Sequence, residues 1–320
     1  MQKLINVWLD LTFLVFETLI VTSLSRLVFS EGAKSLFRAA VADSSSENIV
    51  DAHERTIEAV SMLLQFFTIC LYMSVRYCIY FGISGPREFF GKIFSTKKSF
   101  PSPRAIQVST VHLISFILMC VYQKYVIKQW KYYSFENYKI HRNVTVLDSV
   151  EVEAGNVPHY GDNNFEIDYM KGLAMILLNP IKEEILFRLT AVSILCYRLE
   201  SKVNGVWLSS LLFGLLHCAN FFSAQHEYAT NYVVLQCVFA FFIGIFYALE
   251  MVITQNLMNV ILLHIVNNIF ASFVPVRRDV DFGDPIISYM LVVTVVIYAY
   301  YCHRGYKLLL RDIDDEKKRT

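Results

Sequence analysis

Residues 229–252 read ATNYVVLQCVFAFFIGIFYALEMV, and this stretch decides the class of fold. It is apolar almost throughout and carries a single acid, Glu250, near its end. A helix of roughly 20 apolar residues spans the ~30 Å hydrocarbon core of a bilayer. Comparable blocks of about 18–25 residues recur along the chain, whereas the short alternating segments of a membrane barrel are absent. The sequence therefore predicts an all-α polytopic membrane protein.

We predict about eight transmembrane helices around a polar intramembrane cavity. They lie at residues 5–29, 57–82, 105–128, 168–195, 204–223, 229–252, 256–275 and 285–303. The polar stretches 31–55 and 130–164 are each too short to form a further domain. Residues 1–320 are thus predicted to form a single transmembrane domain.

The composition argues against a soluble protein, a nucleic-acid-binding protein and a disulfide-stabilised protein. Of 320 residues, 55% are hydrophobic and 18% are charged, where a soluble protein is charged at about a quarter of its positions. The net charge of +1 gives no bulk attraction for nucleic acid. All seven cysteines lie in or beside apolar blocks, which favours packing roles over a disulfide framework.

Lysines and arginines near the span ends predict the orientation of the chain. With eight spans, the loop at 83–104 and the C-terminal tail, which hold the densest basic clusters, fall on the same side. Both termini are therefore predicted to be cytoplasmic. The sequon Asn143-Val144-Thr145 then falls on the opposite side, where glycosylation takes place.

Three clusters of polar residues lie inside the apolar blocks. They are Glu183, Glu184 and Arg188 in NPIKEEILFRLT (179–190), Phe213 and His217 in LLFGLLHCAN (211–220), and His264, Asn267 and Asn268 in ILLHIVNN (261–268). A charged side chain at mid-membrane costs about 2.5–3.5 kcal/mol on insertion scales. Charges retained at that cost point to a functional site.

Helical spacing separates the two glutamates of the first cluster. Glu184 and Arg188 are four residues apart, so they lie on one face and can form an ion pair. Glu183 points about 100° away from Glu184. It is left without a partner in its own helix, which makes it the candidate general base.

If the three spans converge, one pocket holds a carboxylate, two imidazoles and an amide. This set fits amide hydrolysis: Glu183 with His217 polarises a water, while His264 and Asn268 stabilise the oxyanion. Other interpretations remain open. The histidines can be helix-packing partners, the Glu–Arg pair can be a structural clamp, the acid and histidines can bind zinc, or they can relay protons in a transporter.

The three motifs, taken in order, resemble those of one known family. Glu183-Glu184-x-x-x-Arg188, Phe213-x-x-x-His217 and His264-x-x-x-Asn268 are similar to the motifs of the CPBP family of CAAX proteases and bacteriocin-processing (ABI) enzymes. These are intramembrane glutamate proteases, or type II CAAX prenyl endopeptidases, also described as metalloendopeptidases. The motifs lie within residues 179–268.

The resemblance implies an eight-helix membrane peptidase that removes the C-terminal tripeptide of prenylated CaaX proteins. By matching positions, it implies four catalytic residues, Glu183, His217, His264 and Asn268. Three others, Glu184, Arg188 and Phe213, are implied to support them. No cofactor is expected, with zinc as the alternative.

The same resemblance implies partners and a location. The expected partners are a lipidated or membrane-bound peptide or protein substrate and membrane lipids, with no nucleic acid. The expected location is the endoplasmic reticulum in a eukaryote, or the inner or plasma membrane in a bacterium. The alternative function is that of a non-catalytic membrane scaffold or a bacteriocin-immunity factor with the same fold.

Overall fold

A computed structural model describes residues 2–33, 35–36, 47–93, 100–128, 139–141, 165–167, 172–222, 228–274 and 280–319. The first helices are α1 (Gln2–Arg26), α2 (Glu47–Phe81), α3 (Pro86–Ile93) and α4 (Pro103–Tyr122). Helix α5 runs through residues 172–199, and it is followed by α6 (Lys202–Leu216), α7 (Thr230–Thr254), α8 (Leu257–Ala271) and α9 (Pro285–Arg319). Two short antiparallel strands, Lys139–His141 and Phe165–Ile167, pair with Lys139 opposite Ile167. The sequon at Asn143 lies outside the described residues.

The predicted all-α polytopic membrane architecture is confirmed. Within the described residues, six helices are long and apolar enough to cross a bilayer: Ile5–Gly32, Thr56–Phe81, Pro103–Ile127, Lys202–Phe222, Thr230–Thr254 and Pro285–Lys318. Their outer faces expose large apolar side chains such as Phe16, Leu71 and Val296, a surface suited to lipid rather than water. The chain is therefore an integral, multi-pass membrane protein.

Two of the eight predicted spans differ from the other six. The predicted span 256–275 is a shorter apolar helix, Leu257–Ala271. The predicted span 168–195 corresponds to α5, which contains charged residues and two π-helical segments, Ala174–Leu178 and Ile185–Ala191. The count of eight therefore stays a prediction.

Capping residues fix where the helices of the second half begin. Ser201 accepts a hydrogen bond from the backbone N–H of Asn204 at the start of α6, and Asn256 accepts one from Met258 at the start of α8. Each cap satisfies a backbone donor that the first helical turn leaves free. Between α7 and α8, Gln255 takes up a left-handed conformation with φ of 50°. This tight turn holds α8 beside α7.

Helix α7 lies at the centre of the packing. It contacts α6 and α9, while α8 packs against α4 and α1 against α2. The principal core cluster includes Leu189, Phe246, Tyr247, Val260 and Tyr298. Helices α5, α7 and α8 therefore meet in the interior, and α5 and α8 carry the first and third of the predicted polar clusters.

Candidate active site

Helix α5 changes pitch where it carries the two glutamates. Residues Asn179–Glu184 are α-helical, whereas Ile185–Ala191 form a π-helix that begins directly after Glu184. A π-helical turn uses i→i+5 hydrogen bonds, so the side chains that follow are rotated relative to a regular α-helix. Such wider turns occur frequently at functional sites. The junction between the two pitches orients the first cluster.

A buried ion pair joins Glu184 to Arg188 across this junction. Arg188 Nε lies 3.2 Å from Glu184 Oε2, and the two side chains are 1% and 0% exposed. The contact has the distance of an ion pair but lacks hydrogen-bond alignment, because Glu184 Oε2 and both Arg188 Nη atoms have no hydrogen-bond partner among the described residues. Each charge therefore depends on the other, since a lone buried ion is costly. The predicted i,i+4 pairing is present.

The same glutamate holds the histidine of the third cluster. His264 Nδ1 lies 2.6 Å from Glu184 Oε1, in a contact that joins α5 to α8 across 80 positions of sequence. Because a carboxylate only accepts hydrogen bonds, the Nδ1 of His264 carries a hydrogen and donates it. This contact fixes the orientation of the ring. The other ring nitrogen, Nε2, then faces away from Glu184.

Glu183 lies on the far side of the His264 ring. Its Oε2 is 3.8 Å from His264 Nε2, and its side chain is 29% exposed while that of His264 is 7% exposed. The two adjacent carboxylates thus differ in environment, with Glu184 sealed inside and Glu183 accessible. An accessible carboxylate beside an oriented imidazole is the arrangement required of a general base.

An aromatic layer surrounds the charged groups. The Arg188 guanidinium lies over the ring of Phe213, with Cζ 4.1 Å from the centroid. The ring of Phe213 also contacts His217 and His264, at centroid distances of 4.8 and 6.0 Å. Cation–π contact compensates part of the lost hydration of Arg188. Phe213 therefore connects the three polar clusters in one packed unit.

His217 stands where α6 ends. The α-helix stops at Leu216, and His217–Phe222 continue as a 3₁₀-helix. His217 Nδ1 lies 2.8 Å from the carbonyl oxygen of Phe213, so Nδ1 carries the hydrogen and Nε2 is free to accept one when the ring is neutral. The geometry at the helix end thus fixes the tautomer of a cavity-lining imidazole.

Asn268 joins α8 to the start of α5. Its Nδ2 donates a hydrogen bond of 2.9 Å to the carbonyl oxygen of Met175. A side-chain amide has two N–H groups, so one contact with Met175 leaves a second donor. Asn268 also lines the cavity described next.

A cavity of about 430 Å³ opens beside these residues. His217, His264 and Asn268 form part of its wall, together with Phe213, and apolar residues of α7 and α9 form most of the remainder. Predominantly apolar pockets with a few convergent polar groups are typical of ligand and substrate sites. Three of the four predicted catalytic residues therefore line one cavity, whereas Glu183 is not among its lining residues and lies beside it, 3.8 Å from His264 Nε2.

Glu183 and His217 are predicted to act together on a water, which does not require contact between the two side chains. Among the described residues, His264 and not His217 is the histidine within 4.0 Å of Glu183. The ring of His217 turns toward its own helix, at Phe213, and His264 reaches the glutamates from α8. The catalytic roles of all four residues remain predictions.

The side chains of the site also bear on the zinc alternative. The described residues contain no group of three or more His, Cys, Asp or Glu side chains that could hold a metal ion. His264 Nδ1 already faces the carboxylate of Glu184. The arrangement of the described donors therefore offers zinc no ready ligand set.

Two cavity residues were not predicted from the sequence. His112 of α4 and Tyr298 of α9 both line the cavity, and the His112 Nε2 and Tyr298 Oη atoms are 2.7 Å apart. His112 is an ionisable residue within an apolar block, which by itself marks a candidate functional position. Tyr298 gives no such signal, because a tyrosine is common in membrane helices.

Comparison with known proteins finds one similar segment. Residues 166–270 match the family model described as Type II CAAX prenyl endopeptidase Rce1-like. No curated protein and no solved structure shows a significant match to the chain. The matched segment contains all three motifs, from Glu183 to Asn268. Over this segment, about a third of the chain, the protein is similar to Rce1-like type II CAAX prenyl endopeptidases.

Proposed function

We propose that the chain is an intramembrane endopeptidase that removes the C-terminal tripeptide of prenylated CaaX proteins. One observation carries the proposal. His264 lies between the sealed Glu184 and the accessible Glu183, on the wall of a cavity that it shares with His217 and Asn268. A scaffold needs no such alignment of an acid, two imidazoles and an amide.

In the proposed reaction, Glu183 acts as the general base. It accepts a proton from a water molecule while Nε2 of His217 accepts the other water hydrogen in a hydrogen bond. The water oxygen bonds to the scissile carbonyl carbon, and the carbonyl oxygen becomes an oxyanion. When the C–N bond breaks, the proton held by Glu183 passes to the leaving amine. The step consumes one water and needs no other reactant.

The oxyanion is stabilised from α8. Asn268 offers its second N–H, and His264 donates from Nε2 when both ring nitrogens carry a hydrogen. Glu184 then supplies the counter-charge at Nδ1, 2.6 Å away. One oxyanion donor is typically worth about 2.7–4 kcal/mol of transition-state stabilisation. The Glu184–Arg188 pair holds this donor in place.

A prenylated substrate suits the architecture. A buried prenyl chain contributes about 0.8 kcal/mol per CH₂ to membrane attachment, so the tail holds the scissile bond near the site. Membrane lipids surround the exposed apolar faces, and nucleic acid has no part in the reaction. We place both termini in the cytoplasm. The membrane is that of the endoplasmic reticulum in a eukaryote, or the inner or plasma membrane in a bacterium.

The test offers a farnesylated CaaX peptide to the purified protein. We expect wild type to cleave it, and Glu183→Ala and His217→Ala to lose cleavage. Two matched controls are Glu17→Ala, which changes an intramembrane glutamate, and His303→Ala, which changes a histidine, both outside the cavity. Both control variants should still cleave the peptide. Undiminished cleavage by Glu183→Ala or His217→Ala refutes the mechanism.

The same assay decides the question of metal. We propose that no cofactor takes part, so cleavage should survive a chelator. Cleavage that is lost on chelation and restored by zinc would instead establish the metalloprotease alternative.

A further inference from the structure

The cavity contains a polar pair that the family segment does not include. His112 Nε2 and Tyr298 Oη are 2.7 Å apart, and both residues line the cavity with His217 and His264. They come from α4 and α9, outside the matched residues 166–270. The cavity therefore has a second polar feature built by the remainder of the chain.

Aromatic packing holds this pair in position. The His112 ring stacks on Phe270, with centroids 6.2 Å apart and planes 11° apart. Tyr298 is 2% exposed and packs edge-on against Phe246 at 6.0 Å. Two rings fixed in this way present their polar atoms at little cost in side-chain entropy. The pair is thus preorganised before any ligand binds.

The contact between His112 and Tyr298 uses one of their two polar hydrogens, so the other can be donated to a ligand. If the Tyr298 hydroxyl donates to His112 Nε2, the neutral ring carries its hydrogen on Nδ1; if Nε2 donates, the hydroxyl hydrogen is free. Within the described part of the chain, neither side chain has another hydrogen-bond partner. The spare donor belongs to a residue of the cavity wall.

The charged residues of the cavity wall limit which ligands this donor can bind. Among the lining residues that the structure describes there is no lysine or arginine, and Asp281 is the one acid. Asp281 precedes α9 and accepts a hydrogen bond from the backbone N–H of Gly283. Tyr298 lies about 20 Å further along α9, at 1.5 Å per residue. The cavity wall therefore offers an anionic ligand the donor of the His112–Tyr298 pair, alongside the neutral polar side chains of Tyr232, Gln236, Asn267 and Thr294.

The spacing fits one anion in particular. His112 stacks on Phe270, which is six positions beyond His264 and therefore about 9 Å further along α8. An extended tripeptide spans about 10 Å. A peptide cut three residues from its end, with the scissile carbonyl beside His264, places its terminal carboxylate near His112.

We propose that His112 and Tyr298 bind the free C-terminal carboxylate of the peptide substrate. The assignment rests on the proposed peptidase function and extends it to specificity: the pair lets the enzyme distinguish a chain terminus from an internal peptide bond. With a neutral ring, the pair donates one hydrogen bond to the carboxylate: from His112 Nδ1 when the Tyr298 hydroxyl donates to Nε2, or from the Tyr298 hydroxyl when Nε2 donates to it.

The test compares two farnesylated CaaX peptides that differ only at the terminus, one a free acid and one an amide. Wild type should cleave the acid with the higher kcat/KM. In Tyr298→Phe and in His112→Gln the acid-to-amide ratio should fall about 10-fold or more, since hydrogen bonds to charged groups are the stronger ones. The loss of kcat/KM for the free-acid peptide should come from a higher KM and not from a lower kcat. Tyr301→Phe removes a hydroxyl from the same helix outside the cavity wall and should keep the wild-type ratio.

Each outcome decides the matter. Equal cleavage of acid and amide by wild type overturns the assignment while the peptidase function stands. Equal loss of both substrates in the two variants shows a structural role and also overturns it. If wild type cleaves neither peptide, the proposed function fails and the assignment fails with it.

Discussion

Replacing Glu184 by glutamine separates the structural and catalytic parts of the site. The change keeps the shape of a side chain that is 0% exposed but removes its charge, which faces Arg188 Nε at 3.2 Å and His264 Nδ1 at 2.6 Å. Loss of the charge leaves Arg188 buried without compensation, at a cost of about 3–5 kcal/mol in the free energy of unfolding. A charge-assisted hydrogen bond is worth about 1.5–3 kcal/mol, so its weakening at His264 should lower kcat/KM about 10- to 100-fold.

Glu250 provides the matched control. Its side chain is also 0% exposed and pairs with an arginine, Arg104, at 2.7 Å, but it contacts neither His264 nor the cavity. Glu250→Gln should therefore lose stability and keep its cleavage rate per folded molecule. The assays are thermal unfolding in detergent and cleavage of a farnesylated peptide. If Glu184→Gln cleaves as well per folded molecule as Glu250→Gln, the positioning of His264 by Glu184 is wrong.

A double variant separates the two effects further. Adding Arg188→Met to Glu184→Gln removes the uncompensated cation, so part of the lost stability should return. The cleavage rate should stay low because His264 still lacks its carboxylate. Recovery of both properties together would show that the activity loss of the single variant was a consequence of unfolding.

Three further predictions concern the surroundings of the site. Asn268→Ala removes an amide that donates to the Met175 carbonyl and, in the proposal, to the oxyanion; kcat should fall about 100- to 1000-fold in the peptide assay, and a fall below 10-fold would contradict the role. Tyr247→Phe removes a buried hydroxyl without a hydrogen-bond partner among the described residues, so thermal unfolding should show no destabilisation beyond about 1 kcal/mol. Gly205→Ala places a Cβ 2.5 Å from Cys196 Sγ and 2.8 Å from its backbone nitrogen, so the same measurement should show a loss of about 1–3 kcal/mol, whereas Gly91→Ala, with open space around it, should show none.

Local patterns in the sequence predicted much of this arrangement. Apolar blocks of membrane-spanning length predicted helices that the structure contains, since in lipid a backbone must satisfy its own hydrogen bonds. The spacing of Glu184 and Arg188 predicted their ion pair, because i,i+4 neighbours share a helical face. The family resemblance required only the three motifs in order.

Contacts between residues far apart in the sequence could not be predicted from local patterns. Nothing in the sequence shows that His264 rather than His217 reaches Glu183, because that depends on where α6 ends and on how the π-helical turn after Glu184 rotates α5. The pairing of His112 with Tyr298 spans 186 positions. Such contacts depend on helix packing, which no spacing rule within one helix describes.

The product of the reaction tests the central claim most directly. The measurement is mass spectrometry of a farnesylated CaaX peptide after incubation with the purified protein, beside Glu183→Gln. The account predicts a released tripeptide and a shortened farnesylated peptide with wild type, and neither product with Glu183→Gln. Intact peptide with the folded wild type, or the same two products in equal yield with Glu183→Gln, would contradict it.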